Sequence, residues 1–81
     1  MRTATDFCVD LVALDEITRR AGCKTYTEIA DRLEMNRNTV ANVMTGKEKP
    51  SALFMMRFVE AFDVEAGRAG HIFFKRNLRS A

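Results

Sequence analysis

The chain has 81 residues, of which 47% are hydrophobic and 30% charged, and its formal net charge at pH 7 is +2. This length suits one small domain, and the balance of apolar and charged residues is typical of a folded protein rather than a disordered one. No apolar run approaches the roughly 20 residues that span a bilayer, and the N-terminus lacks the regions of a signal peptide, so we expect a cytoplasmic protein without membrane contact.

The residues that could carry metal or catalytic chemistry are few. Cys8 and Cys23 are the only cysteines and His71 is the only histidine, too few to complete a zinc site. We predict no metal and no cofactor, with Cys8 packed on the first helix and Cys23 in a loop. The sequence has no Gly-rich phosphate loop, no paired carboxylates in a pocket pattern and no nucleophile with a partner base, so we do not expect an enzyme.

The first predicted element is a helix that is capped by Thr3 or Thr5 and stops at Gly22. Its apolar stripe consists of Phe7, Leu11, Leu14 and Ile17. Four charged residues fall on the other side of this helix, where we expect them to face water: Asp10, Glu16, Arg19 and Arg20.

Two short helices joined by a brief turn follow over Thr25 to Val43. Thr25 and Glu28 have the spacing of a capping box at the start of a helix that runs to about Leu33. Asn36 is the natural N-cap of the next helix. The predicted buried residues of this pair are Ile29, Ala30, Leu33, Met35, Val40 and Val43. A turn this short forces a sharp crossing, which is typical of a helix-turn-helix unit.

A fourth helix, capped by Ser51 and ending near Phe62, is strongly apolar.

The C-terminal segment is predicted to be a strand. Gly67 and Gly70 argue against a helix, and the stretch from His71 to Arg76 is aromatic and β-branched. A single strand must pair with a second copy, with another part of the chain or with a different protein. The alternative is a final helix turn that packs Ile72 and Phe73 or Phe74 onto the core. Four cations without an acid make this segment either a phosphate-binding arm or a solvated tail: Arg68, Lys75, Arg76 and Arg79.

From Thr25 to Val64 the chain resembles, without a gap, the Cro and lambda-repressor type helix-turn-helix family, also called the xenobiotic-response-element family. The matching positions are Ala30, Met35, Val40, Val43, residues 46–51, Met55, Phe58, Val59, Ala61, Phe62 and Val64. In the fourth helix, the resemblance implies five inward positions: Ala52, Met55, Phe58, Val59 and Phe62. Leu53 and Met56 occupy positions that the family often makes polar, and such exposed apolar side chains suit a dimer interface. Glu34 stands where the family prefers glycine, and Tyr26 where glutamine is common. The resemblance implies a mostly α fold: a small lambda-repressor-like bundle of four to five helices. Residues 1–81 would form a single DNA-binding domain, with 66–81 as a strand or arm that pairs across a dimer.

The same resemblance implies that the third helix, Arg37 to Met44, enters the major groove of double-stranded DNA. Arg37, Asn38 and Asn42 are the expected base readers, and their chemistry agrees, since Arg pairs with guanine and Asn with adenine. The backbone near Gly46, with Lys47 and Lys49, suits a phosphate clamp. The full set of expected backbone or methyl contacts is Tyr26, Thr27, Asn36, Thr39, Ala41, Thr45, Gly46, Lys47 and Lys49.

Two functions are consistent with this pattern. The first is a nucleoid-associated transcription regulator, Cro-like or repressor-like as in phages or prophages, that binds an operator as a homodimer. The second is a protein-interaction module, such as an antitoxin-like or anti-regulator protein, that binds a protein partner through the fourth helix and the C-terminal strand. The candidate dimer contacts are Leu53, Met56, Ile72, Phe73 and Phe74.

Overall fold

The computed structural model describes residues 7–76, in which five short helices account for most of the chain. The elements are, in order, β1 (Phe7–Cys8), α1 (Leu11–Arg20), α2 (Tyr26–Leu33), α3 (Arg37–Met44), α4 (Ala52–Ala61), α5 (Ala66–Phe73) and β2 (Lys75–Arg76). The predicted mostly α bundle of four to five helices is confirmed, with five. In the described part of the chain, none of the helices combines the length and the apolarity that a membrane span requires.

Helix α1 begins later than the sequence indicated. Its N-cap is Asp10, whose Oδ1 accepts a hydrogen bond from the backbone N–H of Ala13 at 3.1 Å. The predicted caps, Thr3 and Thr5, lie outside the described residues. The predicted helical stripe through Phe7 is wrong, because Phe7–Cys8 form β1. A short carboxylate at the N-cap satisfies a free helix N–H, so a helix can begin at Asp10 even though apolar residues precede it.

The two cysteines have different surroundings. Cys8 is exposed on β1, so the prediction that it packs on the first helix is wrong, whereas Cys23 is buried in the loop after α1. The chain reverses at Gly22, which has a φ of 88°. This left-handed conformation favours glycine and lets the Cys23 N–H donate to the carbonyl of Thr18 at 2.9 Å.

The core is formed by all five helices. The predicted inward residues of α2 and α3 are confirmed, since Ile29, Ala30, Leu33, Val40 and Val43 are buried and Met35 packs against them. In α4, which Ser51 caps as predicted, Phe54 and Phe58 are fully buried. Ala52 is exposed, so its inward placement was wrong. Phe54 is buried in place of Ala52, because its bulky ring packs beside that of Phe58, one turn away. Burying this ring removes more apolar surface from water than burying Ala52 would.

The C-terminal segment is a helix, and the strand prediction for residues 71–74 is wrong. Ile72 and Phe73 are consecutive and both buried, whereas a strand with one face on the core would bury only one of two consecutive residues. The Phe73 ring meets the rings of Phe54 and Phe58 edge-on, at centroid distances of 6.4 and 5.8 Å. Burying these two side chains contributes about 3–6 kcal/mol, which exceeds the roughly 1 kcal/mol that each helical glycine costs. The alternative of a final helical turn is the observed one.

Only Lys75–Arg76 remain as a strand, and they pair antiparallel with Phe7–Cys8 of the same chain. The backbone N–H of Asp10 also donates to the carbonyl of Ile72 at 2.7 Å. Asp10 therefore contacts three elements. It caps α1, its backbone N–H bonds to the end of α5, and its carboxylate forms an ion pair of 3.9 Å with Lys75 of β2. The predicted pairing of this strand across a dimer is replaced by pairing within the chain.

The candidate dimer contacts divide in two. Ile72 and Phe73 are buried in the chain's own core and keep only 2% and 5% of their surface exposed, so they offer little contact area to a second copy in this conformation. Leu53, Met56 and Phe74 have 43%, 54% and 55% of their surface exposed. Arg79 of the predicted basic arm lies outside the described residues.

Candidate functional site

Helices α2 and α3 form a tightly turned pair whose ends are closed by local hydrogen bonds. At the start of α2, Thr25 accepts the N–H of Glu28, and the Glu28 carboxylate accepts the N–H of Thr25 and of Lys24, so the predicted capping box is confirmed. These two backbone donors lower the pKa of Glu28. At the start of α3, Asn36 accepts the N–H of Asn38 at 2.8 Å, as predicted.

The turn between the two helices depends on a residue in an unusual conformation. Glu34 has φ 54° and ψ 47°, in the left-handed region that glycine adopts more readily than other residues. This reversal lets the N–H of Met35 donate to the carbonyl of Ala30 at 3.0 Å and brings Asn36 into its capping position. Glu34 therefore adopts a left-handed conformation at the turn position where the resembled family prefers glycine.

Two arginines hold the turn against the rest of the bundle, and the sequence interpretation missed both. Arg57 of α4 donates to the carbonyls of Leu33 at 3.3 Å and Glu34 at 2.7 Å, and its charge faces the negative C-terminal end of α2. Arg32 donates to the carbonyl of Ala61 at 3.4 Å. Its guanidinium also lies 5.0 Å from the centre of the Phe62 ring. A single cation in the apolar sequence of α4 was the available signal for Arg57.

The outward face of α3 carries the predicted base readers. Arg37 and Asn38 are exposed in its first turn, and Asn42 is half-buried one turn later. These three residues and Ala41 lie within an arc of about 140° of the helix surface at 3.6 residues per turn. Val40 and Val43 point the other way, into the core. The structure therefore brings the predicted readers together on one face, and Tyr26 and Thr27 are exposed in the first turn of α2.

The loop after α3 folds back onto the end of that helix. The backbone N–H of Gly46 donates to the carbonyl of Val43, and the N–H groups of Lys47 and Glu48 both donate to the carbonyl of Asn42. In this conformation these backbone donors already bond within the chain, so the predicted phosphate clamp near Gly46 would depend on the exposed side chains of Lys47 and Lys49. The Thr45 hydroxyl likewise donates to the carbonyls of Ala41 and Asn42 rather than outward.

A side-chain contact that the sequence interpretation missed lies on the same surface. Nδ2 of Asn42 donates to Oε1 of Glu48 at 3.1 Å. Their separation by six residues across a turn is not a standard helical spacing, so pattern analysis gave no signal for it. The contact places a carboxylate next to a predicted base reader.

The cations around this face form no close ion pair within the described residues. Among residues 7–76, the ion pairs are Arg19 with Asp15 and Lys75 with Asp10, and none involves Arg37, Lys47 or Lys49. All three of these side chains are exposed. The predicted readers therefore lie beside positive charge that is available to an anionic partner.

A second surface feature is an open apolar groove between α4 and α5, with a volume of about 540 Å³. It is lined mainly by Met55, Met56, Val59, Ala69, Phe73 and Phe74. In the part of the chain that the structure describes, no group of three or more His, Cys, Asp or Glu side chains is arranged to hold a metal ion.

Comparison of the chain with protein-family models, with curated proteins and with solved structures gives no match.

Proposed function

We propose that the protein is a sequence-specific transcription regulator that binds double-stranded DNA, with α3 as its recognition helix. The observation that carries this proposal is the exposed α3 face, on which Arg37, Asn38 and Asn42 stand together beside the unpaired cations Lys47 and Lys49. An α-helix of this kind fits the major groove, where its N-terminal side chains reach base edges. The resemblance of residues 25–64 to Cro-like and repressor-like proteins supports the same proposal.

Each side chain has a role that its chemistry supports. Arg37 can donate two hydrogen bonds to guanine, and Asn38 and Asn42 can each pair with adenine. Lys47 and Lys49 supply charge to phosphates, and the exposed hydroxyls of Tyr26 and Thr27 can donate to the same backbone. Phosphate contacts of this kind set the position of α3 along the duplex, while the base contacts select the sequence.

The regulator is proposed to act as a homodimer. Three base readers on one eight-residue helix distinguish few base pairs, and each mismatch costs only about 1–3 kcal/mol. Two copies related by a two-fold axis double the free-energy difference between the correct site and other sequences, and they read half-sites about 34 Å apart. The surface that we assign to the second copy consists of the exposed apolar side chains of Met56 and Phe74, which line the α4–α5 groove, together with that of Leu53 on α4.

The test of DNA recognition uses an operator selected from a random duplex library and a scrambled duplex of equal length. Arg37→Ala is expected to reduce discrimination at one base pair by about 1–3 kcal/mol. Arg37→Lys keeps the charge but not the planar fork, so it should lose the discrimination and retain the affinity for scrambled DNA. Lys47→Ala should weaken both duplexes alike and lower the salt dependence of log K by about 0.9.

Fluorescence anisotropy titrations at several salt concentrations measure all of these quantities. The proposal fails if Arg37→Ala weakens binding to the operator and to the scrambled duplex by the same factor. It fails equally if no sequence is enriched by the folded wild-type protein.

The α4–α5 groove also favours a second candidate function, a protein-interaction module of the antitoxin-like or anti-regulator type. Its discriminating test is the oligomeric state, measured by sedimentation equilibrium. Met56→Glu places a charge on a side chain that is 54% exposed and should convert a dimer to a folded monomer. Val12→Glu, at an exposed position on α1, is the matched control and should remain dimeric. A wild-type protein that is monomeric and inactive on DNA would favour the second function.

A further inference from the structure

We propose that Glu48 is a specificity-determining residue, because its carboxylate fixes the amide of Asn42 in the orientation that selects adenine. This inference rests on the proposed function of α3 and assigns one of its contacts. Glu48 has a negative charge, which is the opposite of what phosphate binding alone would require on this surface. Its presence beside a base reader therefore calls for a role in orientation rather than in affinity.

The orientation follows from the hydrogen-bonding capacities of the two side chains. Nδ2 of Asn42 lies 3.1 Å from Oε1 of Glu48. An ionised carboxylate only accepts hydrogen bonds, so the amide nitrogen must face it. Rotating the Asn42 amide by 180° would bring its Oδ1 against Oε1, an arrangement of two acceptors without a proton between them. The pair therefore has one allowed arrangement.

The backbone of the loop holds the two residues in place. The N–H groups of Lys47 and Glu48 donate to the carbonyl of Asn42 at 2.9 and 3.1 Å. The chain can return to this carbonyl because Gly46 has a φ of 84°. A Cβ at Gly46 would lie 3.1 Å from Cδ1 of Leu11, so the loop also sits close against α1. The contact is thus part of a fixed turn rather than a chance meeting of two long side chains.

The remaining groups of Asn42 match one base. Its amide has two N–H donors and one carbonyl acceptor, and Glu48 uses one donor. One donor and one acceptor are left, which complement N7 and N6–H of adenine in the major groove. Guanine presents two acceptors, N7 and O6, and would need both donors. Glu48 therefore favours adenine and disfavours guanine at the Asn42 position.

The charge of Glu48 has a second, separable effect. A carboxylate within a Debye length of about 10 Å of the phosphates repels them and lowers the affinity for every sequence. Removing the charge should raise binding to scrambled DNA, while removing the orientation should lower the preference for adenine. A residue with only a structural role in the loop would change neither quantity in this way.

The base pair that Asn42 reads is identified as the one at which Asn42→Ala no longer discriminates between bases. The experiment then measures binding to four duplexes that differ only at this base pair. Wild type should prefer adenine over guanine by about 5- to 150-fold. Glu48→Gln is nearly isosteric, but its amide both donates and accepts, so it permits either orientation of Asn42. We expect this variant to lose most of the preference and to bind scrambled DNA more tightly at low salt. Glu16→Gln, an exposed charge change on α1, should keep the preference.

Two further measurements separate the possible failures. Glu48→Ala must give the same loss of preference, with folding checked by thermal unfolding. In the DNA-free protein, both Glu48 variants should shift the side-chain amide resonances of Asn42, and Glu16→Gln should not. A full adenine preference in Glu48→Gln, or unshifted Asn42 resonances, would overturn this inference alone. Failure of the wild type to prefer any duplex would overturn the proposed function and this inference with it.

Discussion

Two regions of the molecule are held together in different ways. The first is the helix-turn-helix half, residues 25–49. The second is the terminal closure, formed by residues 7–10 and 66–76. Within the first, the capping and side-chain partners are close in sequence: Thr25 with Glu28, Asn36 with Asn38, and Asn42 with Glu48. Arg57 of α4 adds the long-range bonds that tie its turn to the bundle. In the second, Asp10 bonds Ile72 and Cys8 pairs with Lys75, more than 60 residues away. Local partners can be identified from spacing, while distant ones depend on how the whole chain packs.

The largest expected effect tests the terminal closure. Phe73→Ala removes a buried ring that contacts Phe54 and Phe58, and should destabilise the protein by about 3–5 kcal/mol. Phe74→Ala, at the next and mostly exposed position, should cost less than about 1 kcal/mol. Ile72→Ala should resemble Phe73→Ala, with a cost of about 2–5 kcal/mol.

Urea unfolding monitored by circular dichroism measures these three free energies. The pattern of costs distinguishes a helix from a strand. In a strand, residues 72 and 74 would point to one face and residue 73 to the other, so Ile72→Ala and Phe74→Ala would have similar costs. A cost for Phe74→Ala as large as that for Phe73→Ala would contradict the helical packing of α5.

The same contrast explains why the C-terminal helix was missed. Gly67 and Gly70 have low helix propensity, and the aromatic stretch that follows them has high strand propensity. Neither preference decides the outcome, because the rings of Phe54 and Phe58 provide a surface on which only a helix buries both Ile72 and Phe73. That surface comes from α4, and no sequence window around α5 contains it.

The helix-turn-helix half can be tested by a substitution that should stabilise it. Glu34→Gly relieves a left-handed conformation at φ 54° and removes a negative charge from the C-terminal end of α2. The hydrogen bond from Arg57 goes to the backbone carbonyl of Glu34 and is kept. We expect a gain of up to about 1 kcal/mol.

Asp31→Gly, within α2 itself, is the matched control and should cost a few tenths of a kcal/mol, about the difference in helix propensity. The midpoints of urea unfolding at a constant m-value give both changes. A loss of stability in Glu34→Gly similar to that in Asp31→Gly would show that the turn does not depend on the left-handed residue.

The candidate site was predictable to the extent that it is helical. The caps at Thr25 and Asn36 determine where α2 and α3 begin, and the 3.6-residue period then determines which side chains of α3 face outward. The loop after α3 was not predictable in the same way. Its N–H groups were expected to face a phosphate, but they return to the carbonyls of Val43 and Asn42 because a helix end leaves such acceptors free.

The smallest expected effect concerns Glu28, and it tests whether the helix-turn-helix half is sensitive to pH through its own capping box. The backbone N–H groups of Lys24 and Thr25 donate to the Glu28 carboxylate and lower its pKa in the folded state. The resulting stabilisation is fully present above the pKa of glutamate in the unfolded chain, about 4.3, and is lost as the pH falls through the lower folded-state pKa.

Glu28→Gln preserves the capping geometry, since glutamine serves at this position of a capping box, but it removes the titrating group. When the pH is lowered from 5 through the folded-state pKa of Glu28, the variant should therefore lose less stability than wild type. Thermal unfolding at a series of pH values measures this difference. Because the carboxylate is fully exposed, solvent screens the effect and the difference between the two curves will be small. Parallel curves over that interval would mean that the acid sensitivity of the protein does not arise from the Glu28 capping box.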